Sequence, residues 1–274
     1  MPELPEVENV ARGLDRRLAG RTITRVSVSW SRNIAQPDLE TFERSIVGRR
    51  VEAVWRRGKY IVMRLDSGYL LVHLKMSGRL QILSAEEPAG PHVRVVFGLD
   101  DGSELRFDNA RKWGRIYLVH DVEDITGDLG PEPLSKAFSL EAFRDLLSGR
   151  SGQLKPLLLN QRFVAGLGNI YANEVLFAAG LHPQRRADTL SAQEQAALYR
   201  AIRSVLEEAI AAGGTTLSDG GFTDAEGRPG GFSQKLAVHG LEDEPCRACG
   251  TPVERLVIGG RSAFFCPRCQ QDAA

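Results

Sequence analysis

Residues 246–269 read CRACGTPVERLVIGGRSAFFCPRC, and they hold all four cysteines of the chain. Cys246-x2-Cys249 and Cys266-x2-Cys269 each offer two thiolates from one tight turn. Two such turns complete a closed tetrahedral shell for one structural Zn²⁺. Two disulfides are the alternative use of four thiols, and they would need an oxidising compartment. Between the pairs, ERLVI and RSAFF flank Gly259-Gly260, so the metal should staple a β-hairpin with Arg261 at its tip. A ribbon this small cannot build a core of its own and needs the metal to fold. Arg261 then becomes a rigidly presented guanidinium suited to a phosphate.

Working outward, residues 213–236 carry many glycines and Pro229 and read as a long, mobile-looking loop. Upstream the periodicity is helical over 139–148, 154–162, 169–179 and 191–212, the last opened by the Ser191-x-x-Glu194 capping box. The acidic, aperiodic stretch 121–137 reads as a linker. Before it, eight short β-type runs (23–30, 50–56, 59–65, 68–74, 79–83, 92–99, 103–107 and 114–119) predict an antiparallel sandwich or barrel. Val7, Val10, Ala11, Leu14 and Leu18 predict an amphipathic helix over 3–19, with Gly20 after its last turn. The expected fold is α+β. It comprises a helix-plus-sheet domain over 1–120, a linker over 121–137, a helical domain over 138–240 and the zinc hairpin over 241–274.

A chain of 274 residues suits more than one domain, and 42% hydrophobic with 26% charged residues is ordinary for a globular protein. No apolar run approaches the roughly 18 residues of a membrane span. The acidic start MPELPE lacks the basic and apolar regions of a signal peptide, which predicts a cytoplasmic protein with no membrane partner. Thirty-five basic and 35 acidic residues cancel, yet between Arg44 and Arg79 nine bases face only two acids. Between Asp121 and Asp145 seven acids face two bases. The first segment suits a polyanion, and a solvated surface explains either run equally well.

Two further segments carry chemistry. QRFVAGLGNIYANEVLF, 161–177, places Gly166 and Gly168 before Asn169 at the start of a helix. Such a turn either packs two helices together or presents backbone N–H groups to an anion. At the amino terminus, removal of Met1 would expose the secondary amine of Pro2. An α-amino group has a pKa near about 8, so a useful fraction is nucleophilic at neutral pH. It can form an iminium with a sugar aldehyde carbon, with Glu3 and Glu6 beside it for proton transfer. Pro and Glu are also ordinary choices for a helix start.

PELPEVE at 2–8, Lys59 in RGKY, HLKMSG at 73–78, AGLGNIYANE at 165–174 and GRSAFFCPRCQ at 260–270 occur in this order. Together they resemble the formamidopyrimidine-DNA glycosylases over Pro2 to Gln271. The resemblance implies an N-terminal helix on a β-sandwich, a helix-two-turn-helix domain and a zinc ribbon. It also implies a bifunctional glycosylase/AP lyase that removes oxidised purines from damaged double-stranded DNA, followed by β,δ-elimination.

Residue by residue, the resemblance makes Pro2 the nucleophile and Glu3 the proton-transfer group, with Glu6 supporting them. Lys59 and Arg261 belong to the same catalytic set. Lys59, His73, Lys155, Asn169, Arg261 and His239 fall at DNA-gripping positions. Met76, Arg111 and Trp113 fall where side chains fill the gap left by an extruded nucleotide. Trp113 replaces a usual phenylalanine, Ala110 an often-found proline, and His239 an often-found tyrosine. The loop near Thr215–Gln234 matches one that closes over 8-oxoguanine in relatives. The other readings are an endonuclease VIII-like enzyme for oxidised pyrimidines, disfavoured by Leu4, and a non-catalytic zinc-ribbon DNA-binding protein. A monomer that associates with the nucleoid when acting is expected.

Overall fold

A computed structural model describes residues 2–218 and 220–271. Met1, on which the expectation of terminal processing falls, lies outside the described residues. The chain divides into two compact units, residues 1–128 with 212–233 and residues 129–211 with 234–274.

The amino-terminal unit opens with α1 (Leu4–Leu18), whose Val7, Val10, Ala11, Leu14 and Leu18 are all buried, as their spacing predicts. The eight expected strands form as β1 (Ile23–Val28), β3 (Val51–Arg57), β4 (Tyr60–Leu65), β5 (Tyr69–His73), β6 (Gly78–Ser84), β7 (Val93–Leu99), β8 (Ser103–Asn109) and β9 (Arg115–Val119). A short additional strand, β2 (Ile34–Gln36), and the helix α2 (Leu39–Ile46) lie in a stretch where no element is expected. Two sheets result, in the orders β1-β7-β8-β6 and β2-β9-β5-β4-β3. All pairings are antiparallel except that of β2 with β9. One apolar core, including Leu14, Phe42, Val72, Phe97 and Phe107, joins both sheets, α1 and α2.

Residues 212–233 depart from the expectation of a bare loop in the helical domain. Thr215 bridges Gly231, Thr216 Oγ1 accepts from the Gly230 N–H, and Phe222 and Ala225 enter the amino-terminal core. Gly13 shows what this requires of α1, because a Cβ built there would lie 2.8 Å from the Cβ of Ala225. In an isolated helix Gly→Ala gains about 1 kcal/mol. Here Gly13→Ala should instead lose about 1 kcal/mol of stability in urea titrations and speed proteolysis within 212–233, since overpacking costs about 1–3 kcal/mol.

The second unit contains α4 (Leu140–Leu147), α5 (Leu154–Leu159), α6 (Asn169–Ala178) and α7 (Ala192–Ala211), preceded in the chain by α3 (Glu123–Thr126) of the first unit. The capping box at Ser191 forms in both directions, at 2.7 and 3.2 Å. Between α5 and α6 the chain turns through Gly166 at φ 93°, and the Gln161 carboxamide ties that turn at Gly166 N and Leu167 O. The strands β10 (Glu254–Ile258) and β11 (Arg261–Phe265) are the ERLVI and RSAFF segments, paired antiparallel with Ile258 opposite Arg261. Gly259 and Gly260 both have positive φ, the geometry of a tight two-residue hairpin turn. Gln270 anchors the ribbon by donating to the Leu181 carbonyl and accepting from Cys266 N.

Candidate active site

In the amino-terminal unit Pro2, Glu3 and Glu6 are all buried where α1 begins. Glu3 and Glu6 form a reciprocal capping box, in which the Glu3 N–H donates to Glu6 Oε2 at 2.8 Å. The other Glu6 oxygen accepts from the Thr215 N–H at 2.7 Å. One carboxylate therefore ties the start of the chain to the base of the 212–233 segment, and Gly214 at φ 84° lets the backbone approach it.

Lys59 sits in the two-residue Gly58-Lys59 turn between β3 and β4, only 7% exposed. The register sets Tyr60, its neighbour, opposite His73 on β5, with the two rings edge-on at 4.7 Å. Burial, with the adjacent Lys75 and Lys59, pushes the His73 pKa down to about 3. Its Nδ1 accepts the Lys75 N–H at 3.0 Å, so the proton of the neutral ring resides on Nε2. His73 thus offers a neutral N–H donor at physiological pH.

The loops after β5 and β8 carry the three gap-filling candidates. Met76 and Trp113 are large apolar side chains left 39% and 57% exposed. Met76 and Arg111 line one open cleft, of about 330 Å³, with Arg79, His92 and Asp108. The Arg111 N–H donates to Ser77 Oγ at 3.2 Å and joins the two loop tips. Asn33 Nδ2 and Asn109 Oδ1 clamp the Gly114 carbonyl and N–H, at 2.7 and 3.1 Å. Lys112 takes a left-handed φ of 61° and lays its ammonium over the Trp30 ring, 4.0 Å from the centroid. The sequence reading missed Trp30 and Asn33, which lie far in sequence from the motif they support, and Asn109, which lies within it.

The basic segment is not one free surface. Arg44, Arg49, Arg56 and Arg64 pair with Glu40, Asp66, Glu8 and Glu52. The Arg56–Glu8 pair, at 2.9 Å, joins β3 to α1. Burial raises the Glu8 pKa, but Arg56 and Arg12 outweigh it and hold that carboxyl below its ordinary value.

In the second unit Asn169 is the first residue of α6, after the extended Gly168, and its Oδ1 is buried without a hydrogen-bond partner among the described residues. Arg261 is exposed at the start of β11. Lys155 departs from the expected DNA contact. It is fully buried, and its ammonium donates to Asn173 Oδ1 and to the Ser262 carbonyl, both at 2.5 Å. Lys155 thereby joins α5, α6 and the hairpin strand that begins at Arg261. Glu174, also buried, accepts from the N–H groups of Ala237, Val238 and His239 and fixes the segment carrying His239. Burial raises its pKa despite those three bonds.

The four cysteine Sγ atoms lie within 4.8 Å of one another, with Cys246–Cys269 at 4.0 Å and Cys249–Cys266 at 3.5 Å. Zn–S bonds of about 2.3 Å in a tetrahedron put sulfurs about 3.8 Å apart, and disulfide sulfurs would be about 2.05 Å apart. The thiols are unbonded to each other and fit one structural zinc. Val238 and Val253 pack against Cys246 and Cys266.

Three family models match the chain. The formamidopyrimidine-DNA glycosylase N-terminal domain matches residues 1–116, that enzyme's H2TH domain residues 129–220, and the zinc finger found in FPG and IleRS residues 243–271. Formamidopyrimidine-DNA glycosylase of Heliobacterium modesticaldum is 46% identical over 279 residues, covering 99% of this chain and all of that protein. The crystal structure of the MutM (FPG) protein of Thermus thermophilus is 42% identical, with a TM-score of 0.89 and full coverage of both chains. A variant of Lactococcus lactis FPG in complex with a Fapy-dG containing DNA is 31% identical, with a TM-score of 0.92, over 99% of this chain and all of that one. The chain belongs to the formamidopyrimidine-DNA glycosylase family. That family comprises DNA glycosylases that also carry AP lyase activity. Among the described residues no helix is long and apolar enough to cross a membrane.

Proposed function

We propose that this chain, as a monomer, removes oxidised purines from double-stranded DNA and cleaves the resulting abasic strand through covalent catalysis by Pro2. The observation that carries the reading is the start of α1. Pro2 directly precedes the paired Glu3–Glu6 capping box, and Glu6 is tied to Thr215.

Once Met1 is removed, the Pro2 amine attacks C1′ of the damaged nucleotide, the base leaves with the electron pair of the glycosidic bond, and the proton shed by the Pro2 nitrogen neutralises the departing base. Glu3 protonates O4′ as the C1′–O4′ bond opens, leaving an iminium between Pro2 and C1′. Loss of a C2′ proton expels the 3′ phosphate, a second elimination expels the 5′ phosphate, and water releases Pro2. Lys59, His73, Asn169, Arg261 and His239 act as donors to the acceptor-only phosphates. Met76, Arg111 and Trp113 occupy the gap left by the extruded nucleotide. The four thiolates hold the structural zinc that shapes the Arg261 hairpin. The substrate places the enzyme on nucleoid DNA in the cytoplasm.

A ring-opened purine in the DNA of the L. lactis complex supports the purine reading. A lesion panel in single-turnover kinetics tests it. Formamidopyrimidine and 8-oxoguanine opposite cytosine should be excised at least about tenfold faster than thymine glycol. The reverse order would favour the endonuclease VIII-like alternative, and no excision of any lesion would leave a DNA-binding protein alone.

A further inference from the structure

Asn173, in the AGLGNIYANE motif, has a carboxamide whose orientation the surrounding chemistry decides. A lysine amine in this setting donates and an amide nitrogen cannot accept, so the atom facing Lys155 Nζ must be the carboxamide oxygen. That leaves Asn173 Nδ2 against His239 Nδ1, at 2.7 Å. An amide N–H needs an acceptor, so His239 Nδ1 must present its lone pair. The single proton of the neutral imidazole then lies on Nε2.

We propose that Lys155 and Asn173 are positioning residues that lock His239 in its Nε2–H tautomer, making it a neutral hydrogen-bond donor to a DNA phosphate oxygen. The proposal rests on the glycosylase reading for the identity of the acceptor, whereas the tautomer follows from the geometry alone. The ring is otherwise fixed. Its backbone N–H is held by Glu174 at 2.8 Å, and its ring meets Phe264 edge-on at 5.2 Å. Burial, with the charge of Lys155 nearby, pushes the His239 pKa down to about 4, so the ring stays neutral at physiological pH. His73 reaches the same state by a different device, a backbone N–H on Nδ1. Two unrelated arrangements thus leave the Nε2 proton to meet an acceptor-only ligand. The Lys155 ammonium also binds the Ser262 carbonyl, which links the tautomer lock to the strand that starts at Arg261.

The test uses the full-length, zinc-loaded protein labelled with ¹⁵N-histidine, with the His239 signal assigned by its loss in His239→Phe. At pH 7 without DNA, Nε2 should resonate as protonated and Nδ1 as unprotonated. An Nδ1–H tautomer or an imidazolium would overturn the proposal. Affinity for a duplex containing a non-cleavable abasic analogue supplies the second arm. His239→Phe keeps a ring against Phe264 and should bind about tenfold more weakly, the scale of one hydrogen bond to a charged group. His239→Tyr, which restores a donor, should recover most of that loss. Asn173→Ala should weaken binding by a similar factor in the His239 background and by little in the His239→Phe background. Wild-type affinity in His239→Phe, with lesion excision intact, would overturn the phosphate contact while sparing the glycosylase reading. Failure of the wild type to bind any duplex would sink both, and the tautomer signal would still report on the lock.

Discussion

Cys266→Ser is expected to release zinc and to lower affinity for damaged duplex by at least about a hundredfold. Cys266 is buried beside Val238, Cys246 and Val253, a cluster too small to hold the ribbon without metal. Structural zinc sites contribute about 10–16 kcal/mol of apparent binding free energy, and in small ribbons that free energy is folding free energy. With it lost, β10 and β11 cannot keep their register and Arg261 is no longer presented as a fixed guanidinium. The helices α4 to α7 have separate packing, including the Phe138, Phe143 and Tyr199 rings, so helical circular dichroism should change little. Metal analysis and binding titration on one preparation check this. Stoichiometric zinc in the variant, or unchanged affinity after zinc loss, would contradict the role given to the hairpin.

Glu3→Gln is expected to slow both excision and strand cleavage by about 10²–10⁴-fold, the usual range for loss of a positioned proton donor or acceptor. Duplex affinity should stay within about threefold. Glutamine keeps the length and an accepting oxygen, so the helix start held by Glu6 should survive, as should the Glu6–Thr215 bond. What glutamine cannot do is deliver a proton to O4′. Single-turnover rates within about tenfold of wild type would remove Glu3 from the chemistry and leave it as a cap alone.

The regular elements were legible because α1 buries a stripe at helical spacing and the strands are short runs of β-forming residues, several of them buried on both faces. The zinc hairpin was legible too, because cysteine spacing and Gly259-Gly260 fix both ends and the turn. The three-residue β2 is too short to show a period, whereas α2, capped by Asp38 and burying Phe42 and Ile46, carries a helical signal that the sequence reading missed. Residues 213–236 read as a mobile-looking loop because of their many glycines, while Phe222 and Ala225 bury themselves on partners two hundred residues away in sequence. One consequence is practical. Shortening 218–230 would delete two core side chains, so lesion choice is better probed by point variants in that segment.

Charge was the least legible feature. Arg56 looks like part of a DNA-facing run until β3 brings it to Glu8, and Lys155, expected at a DNA contact, is enclosed by α6 and the hairpin. In both cases partner identity depends on tertiary register, which no local pattern encodes. The same limit applies to the chemistry at the amino terminus. PELPE on its own reads first as helix capping and gains the reactive-amine reading only in company with the other motifs, and the capping box shows that the carboxylates serve the first purpose whatever their part in the second.

The central claim is that the amine of Pro2 forms the covalent bond to DNA, and the most direct test is to find that bond. Protein with verified removal of Met1 would be incubated with an 8-oxoguanine duplex and sodium borohydride, then digested and mapped by mass spectrometry. The predicted result is a reduced sugar remnant on the Pro2 nitrogen of the first peptide, with loss of the adduct in Pro2→Gly or when Met1 is retained. An adduct on Lys59 or another lysine in the wild type, or undiminished trapping in a Met1-retaining protein, would contradict it.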